Sequence, residues 1–397
     1  MKAIYAKEPF PTTVTKTIFL CGPTPRGNPS WKDDVVDARN SWKDEVLKGM
    51  VGWRSTALHL LQNFDGHVFV PEPRDGKWSA TGYEDQIDWE EEGMNRADAI
   101  VFWVPRDMHD MPALTTNVEW GMWYNSGKIF YGRPENAEHI RYLDRYAEKF
   151  RVHIHNNLEA VLREAVETLG DGMERSDGDA TVPLYIWKHP SFQNWLESQK
   201  AAGNHITDAR VKFSFPPNRT PALFAVQAKM WVENEDREKA NEVVIGRNDT
   251  AQVVLYRKVG DDKLDTEVVI VKEFRQAART EDGCIHETPG GSSKKEKPAE
   301  ITAVEEVSEE TGLQILEERF KPIGTRQVCG TLSCHVAHAF SVELTDEEMD
   351  KIRSTANEAK GVAADTERTY REVKIIRELL ETESVDWANI GIILSAL

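Results

Sequence analysis

The sequence predicts an α/β protein of two domains: a parallel sheet, then a strand-rich sandwich on a mixed sheet. Three observations predict it. Short apolar runs alternate with helical spacing over residues 16–169. After residue 181 the texture changes to longer β-type runs with one acidic helix among them. And 397 residues are more than one hydrophobic core usually serves.

The elements follow in order. TIFLCG (17–22), HVFVPEP (67–73), ADAIVFWVP (97–105) and KIFYG (128–132) read as strands. Helical patterns lie around 53–64, at 85–97 (DQIDWEEEGMNRA) and at 117–127 (NVEWGMWYNSG). Strands separated by helices call for parallel pairing, a Rossmann-like arrangement. NLEAVLREAVETLG (157–170) has helical spacing and a Gly stop. GDGMERSDGDAT (170–181) has almost no apolar residue and is expected to link a domain over 16–169 to one over 182–397.

In the second domain a short strand and an amphipathic helix are expected over 182–204. Strands are expected at 222–232, 251–259, 266–275, 335–344 and 366–375, and a closing helix at 385–397. Strands around one central helix predict an α/β/α sandwich.

Composition narrows the function. A formal charge of −18 argues against non-specific nucleic-acid binding, which needs a basic face. It suits a protein whose small anionic ligands meet local metal and Arg. The four cysteines form no CxxC pair and no zinc set, so they read as reduced thiols in a cytosol. No signal-peptide core is seen, and no run approaches the roughly 20 apolar residues of a membrane span. A cytoplasmic protein with small-molecule partners is expected.

Two carboxylate sites stand out. In HETPGGSSKKEKPAEITAVEEVSEETGL (286–313), Glu306, Glu309 and Glu310 fall at i, i+3 and i+4 on one helix face. Crowded carboxylates repel one another unless a cation neutralises them, and hard oxygen ligands suit Mg²⁺ or Mn²⁺. The Pro-Gly-Gly turn before them lets backbone approach a phosphate. In the first domain Glu119 sits early in a helix that follows a strand end, where α/β sheets place their sites. A helix start favours its ionised form. Such a carboxylate can attack an anomeric carbon and hold a glycosyl intermediate.

FLCGPTPRG (19–27), GWRSTAL (52–58), VFVPEPRDG (68–76), QIDWEEEGMNRADAIVFW (86–103) and TTNVEWG (115–121) together resemble the nucleoside 2-deoxyribosyltransferase family. The resemblance implies Glu119 as nucleophile and Glu90 as the acid that handles the proton on the leaving base, with Asp88 beside it. Gly22 and Pro23 would border the sugar pocket, and Asn117 would hold a sugar hydroxyl. Position 113, where many members carry Asp, is Ala.

VVIVKEFRQA (268–277), the Pro-Gly-Gly turn and the acidic helix resemble Nudix hydrolases acting on ADP-ribose and other nucleotide sugars. With the motif's first Gly at Gly291, Glu306, Glu309, Glu310 and Gly312 fall in register. Lys297 stands where the family has Glu, and Glu305 where it has Arg. The resemblance implies metal on Glu306 and Glu310 supported by Glu309, Arg275 on a substrate phosphate or base, and Glu287 on metal or substrate. It implies Glu367 or Glu309 as base toward water.

The whole chain is thus expected to be a bifunctional nucleotide-metabolism enzyme. It would combine N-glycosidic cleavage or transfer with Mg²⁺-dependent diphosphate hydrolysis. The competing expectation is a nucleotide-sugar sensor whose altered motif binds without turnover. Both resemblances imply a homo-oligomer.

Overall fold

The computed structural model describes residues 1–24, 52–74, 82–217, 219–292, 297–360 and 368–397. The chain divides into two compact units, Met1–Ile245 and Gly246–Leu397.

The first unit is built on six parallel strands in the order β1-β4-β3-β5-β6-β7. They are β1 (Lys2–Tyr5), β3 (Thr17–Cys21), β4 (His67–Val70), β5 (Ala99–Trp103), β6 (Ile129–Gly132) and β7 (Ile154–His155); β2 (Thr13–Val14) lies outside this sheet. The expected strands are all present. Parallel strands buried on both faces need continuous apolar runs, and β3 and β5 are buried at every residue. Side chains alternate across the sheet. Ile18, Leu20 and Val101 pack against helices α1 (Trp53–Leu60) and α5 (Leu158–Leu169) on one face. Phe19, Cys21, Ile100 and Phe102 pack on the other against α2 (Tyr83–Arg96), α3 (Leu114–Trp123) and α4 (Arg141–Lys149). Lys128, buried just before β6, closes the end of α2 by donating to the carbonyls of Met94 (2.5 Å) and Asn95 (3.0 Å). Burial in this cap pushes its ammonium down to about 7.

The stretch 170–181 is not a solvated connector, contrary to its composition. Within it β8 (Arg175–Ser176) pairs with β2, and a 3-10 turn covers Asp177–Thr181. The reason is Arg175. Its guanidinium donates to both carboxylate oxygens of Asp98, each at 2.7 Å, and both side chains are 0% exposed. Asp98 also accepts the amides of Thr17 (2.8 Å) and Leu184 (2.7 Å), which locks the stretch to the sheet. Residues after it join the same core: Leu184 and Trp187 on α6 (Leu184–Trp187), Phe192 and Leu196 on α7 (Pro190–Ala201), and Phe224 on a later strand. The short strand expected near 182 is therefore a helical turn, closed by Ile186 and Trp187 amides on the Pro183 carbonyl. A four-stranded sheet follows, of β9 (His205–Phe215), β10 (Leu223–Val232), β11 (Arg237–Lys239) and β12 (Val243–Arg247).

The second unit holds a seven-stranded mixed sheet. Its strands are β13 (Thr250–Arg257), β14 (Glu267–Phe274), β15 (Cys284–Glu287), β16 (Gly290–Gly291), β17 (Lys321–Gln327), β18 (Val336–Glu343) and β19 (Thr369–Ile375). Only the β13–β18 pair is parallel among the described strands. Val253 and Leu255 face α8 (Ala299–Thr311) and α9 (Asp346–Ser354). Val254 and Tyr256 face α10 (Ile376–Glu381) and α11 (Trp387–Ser395). Helices on both faces make the expected α/β/α sandwich. Among the described residues no helix is long and apolar enough to cross a membrane.

The Asp98→Ala variant leaves the Arg175 charge buried without its partner. A loss of about 3–5 kcal/mol is expected, read as an earlier urea transition of tryptophan fluorescence, and Asp98→Ala with Arg175→Met should recover part of it.

Candidate active site

The carboxyl ends of β3 and β4 are tied by one side chain, Arg54 in the first turn of α1. It is buried and donates to Leu20 O (3.2 Å), Gly22 O (2.5 Å), Thr24 Oγ1 (2.9 Å) and Glu72 Oε1 (2.5 Å). Glu72 follows β4, so the ion pair clamps two strand ends together. Trp53 beside it donates its indole N–H to Pro23 O at 2.9 Å. Between the contacts, Gly22 adopts φ 151°, and a Cβ there would stand 2.1 Å from Trp103 O. No other residue fits that approach.

The clamp sets the stage for three side chains. Cys21, the last residue of β3, is fully buried and donates its S–H to Glu119 Oε2 at 3.0 Å. Burial first, then the Glu119 charge, push the thiol well above its usual range, so it keeps the proton it donates. Glu119 lies on α3, whose N-cap Ala113 takes a left-handed φ of 55° and offers no side-chain cap. Glu119 is in the second turn, beyond the reach of the helix dipole expected to ionise it. Its carboxyl is raised by burial, with the Cys21 hydrogen bond and Arg54 opposing. Glu90, on α2, accepts from the Nε2 of buried Gln86 at 2.7 Å. Burial pushes Glu90 up to about 7; Gln86 and Arg54 pull it down, and the Glu119 charge pushes it further up. Both carboxyls are thus raised by burial; the Cys21 hydrogen bond and Arg54 oppose the rise on Glu119, and Glu90 is set to hold a proton near neutrality.

Glu119, Glu90, Gly22 and Pro23 are brought to one strand end. Asp88 is not. It is exposed, two residues and about 200° around α2 from Glu90. Asn117 is likewise two residues from Glu119 on α3. Its Oδ1 accepts from Arg106 at 2.5 Å, and it lines a cavity of about 430 Å³ with Trp120, Tyr124 and Tyr146. Sequence reasoning passed over Arg54, Gln86 and the Cys21 thiol. Gln86 could have been found, four residues before Glu90 on one helix face.

In the second unit a different carboxylate group converges. Glu310 Oε2 accepts the Gly290 amide at 2.9 Å. Its carboxyl is raised well above the usual range by burial, with the charges of Glu306, Glu287 and Glu273 adding. A Cβ on Gly291 would lie 2.3 Å from Glu306 Oε1, so the bare glycine leaves room for that carboxylate. Burial pushes Glu287 up to about 7, against Arg275 and Arg247. Arg275 itself pairs with Glu273 at 2.8 Å. Glu309 is exposed. Glu367 lies outside the described residues. Lys297 and Glu305, each of unexpected charge, meet one another: Nζ stands 2.8 and 2.7 Å from the two carboxylate oxygens. Among the described residues Glu306, Glu309 and Glu310 do not close into a three-ligand cluster, so the expected metal set is not brought together as a trio.

Comparison with known proteins gives one family. A family profile described as "Nucleoside 2-deoxyribosyltransferase like" matches residues 15–137. No curated protein matches the chain. The match takes in Cys21, Arg54, Glu90 and Glu119, and leaves the mixed sheet of the second unit unassigned. Residues 15–137 therefore form a nucleoside 2-deoxyribosyltransferase-like domain, which points to nucleoside N-glycosidic chemistry.

Proposed function

We propose that the first unit cleaves or transfers the N-glycosidic bond of a nucleoside or nucleotide through a covalent glycosyl intermediate on Glu119. The observation that carries this reading is the pairing of Glu119, held by Cys21 and countered by Arg54, with a Glu90 carboxyl raised to about 7. The Glu119 carboxylate attacks the anomeric carbon as the bond to the base breaks. The bonding electrons leave on the base nitrogen, and Glu90 gives that nitrogen its proton. Water, or a second base, then displaces Glu119 and returns a proton to Glu90.

The second unit is proposed to hydrolyse a nucleoside diphosphate linked to another group. Glu306 and Glu310 would hold Mg²⁺ or Mn²⁺, which when bound supplies charge neutralisation to a diphosphate. The unit's own residues do the rest of the binding: Arg275 and Arg247 offer guanidinium groups to phosphate, and the Gly290–Gly291 turn offers close backbone. The retained carboxylates Glu306 and Glu310 favour this reading over the sensor alternative. Nucleotide-like ligands on both units give the fusion a reason.

The first unit should release free base from nucleosides or deoxynucleotides. Glu119→Ala should cut that rate by more than ~10³-fold, as loss of a covalent nucleophile does. Because Glu90 must carry its proton to act, kcat/KM should fall as pH rises through about 7. In Glu90→Gln the rate should drop ~10²–10⁴-fold and that alkaline limb should disappear. No base release across ribo- and deoxy-substrates would remove the proposal.

For the second unit, Mg²⁺-dependent release of nucleoside monophosphate from ADP-ribose and a nucleotide panel is the readout. Glu310→Gln should abolish it without altering base release; equal turnover by both proteins would exclude the hydrolase reading.

A further inference from the structure

A second cluster lies in the first unit, away from the Glu119 site. His153 and His155 flank Ile154 at the sheet edge, and Glu164 faces them from the second turn of α5. Strand order places β7 three neighbours from β3, about 14 Å across the sheet at the usual strand spacing. The imidazole rings of His153 and His155 stand 4.2 Å apart between centroids. Both address one carboxylate oxygen. His155 Nε2 is hydrogen-bonded to Glu164 Oε2, and His153 Nδ1 lies 4.0 Å from that same atom. One donor atom from each residue lies within 4.8 Å of the other two. Among the described residues no other trio of His, Cys, Asp or Glu closes this far.

A simple ion pair explains one of these contacts and leaves the other. His155 satisfies the carboxylate, yet His153 is turned toward the same oxygen at a distance too long for a hydrogen bond. Two imidazoles beside one another repel when protonated and gain nothing from contact with each other as cations. Binding an ion would exchange the His155–Glu164 hydrogen bond for three bonds to the metal, with a nitrogen lone pair from each ring and a carboxylate oxygen from Glu164. Bonds of about 2.0–2.2 Å around a tetrahedral ion hold ligand atoms about 3.3 Å apart. His153 would close in toward Glu164 by under about 1 Å and toward His155 by up to about 1.5 Å, and the His155–Glu164 contact would open. Rotamer adjustment of an exposed His suffices, because the His153 side chain is 70% exposed.

The geometry points to a binding site for a zinc-class transition-metal ion on His153 Nδ1, His155 Nε2 and Glu164 Oε2, with a fourth position open to water. Two imidazole nitrogens and one carboxylate select borderline ions over Mg²⁺, which prefers oxygen alone. The ion staples β7, an edge strand of only two residues, to α5. The nearby Arg219 guanidinium feels the Glu164 charge without replacing the donors.

The test titrates Zn²⁺ into the metal-stripped full chain against a chromophoric chelator, with Mg²⁺ in excess to occupy all-oxygen sites. One Zn²⁺ per chain that also raises the melting temperature is the expected result. His153→Ala and His155→Ala should each weaken uptake by more than the roughly 10–100-fold that outer-shell changes cost. The exposed His153 keeps the test independent of folding. Uptake of equal affinity in wild type and His153→Ala, as zinc on a surface thiol such as Cys329 would give, overturns the site, as does a wild type that takes up none.

Discussion

The first unit depends on a buried guanidinium. Arg54 donates to Leu20 O, Gly22 O, Thr24 Oγ1 and Glu72 Oε1, and so fixes the ends of two parallel strands. Burying that charge would be costly alone; the Glu72 carboxylate and the carbonyls compensate it. Its field also opposes the effect of burial on Glu90 and Glu119. Without it both carboxyls would be driven further toward protonation. The structural clamp and the counter-charge on both carboxyls come from the same side chain.

The second unit meets a related conflict of like charge in another way. Glu306, Glu310, Glu287 and Glu273 influence one another across a turn whose glycines leave no Cβ in the way. Arg275 and Arg247 compensate Glu287, and the strongest shift remains on Glu310. The Lys297–Glu305 pair ties the residue before Pro298 to the second turn of α8.

Much of this was legible in the sequence, because much of it is periodicity. The strands of the parallel sheet are unbroken apolar runs, and their helices carry apolar faces, so both fold classes follow from spacing. The stretch 170–181 misled because its one decisive residue is charged. Arg175 looks like a surface residue among Gly, Asp and Ser until Asp98, 77 positions earlier, is placed against it. Glu119 and Glu90 could be singled out as candidates because their motifs are local. Arg54 and Cys21 were silent, since their roles arise from long-range packing of strand ends. Asp88 and Asn117 fell aside for a local reason: each lies two residues from a site carboxylate, on the far side of its helix.

The central claim is that Glu119 forms a bond to the sugar. Its most direct measurement is the intact mass of the full chain, acid-quenched during turnover of a deoxynucleoside, followed by peptide mapping. The account predicts an added glycosyl group on the peptide containing Glu119, absent from Glu119→Ala and accumulating when the acceptor is withheld. Steady release of base with no adduct at any time, or an adduct on another residue, would contradict it.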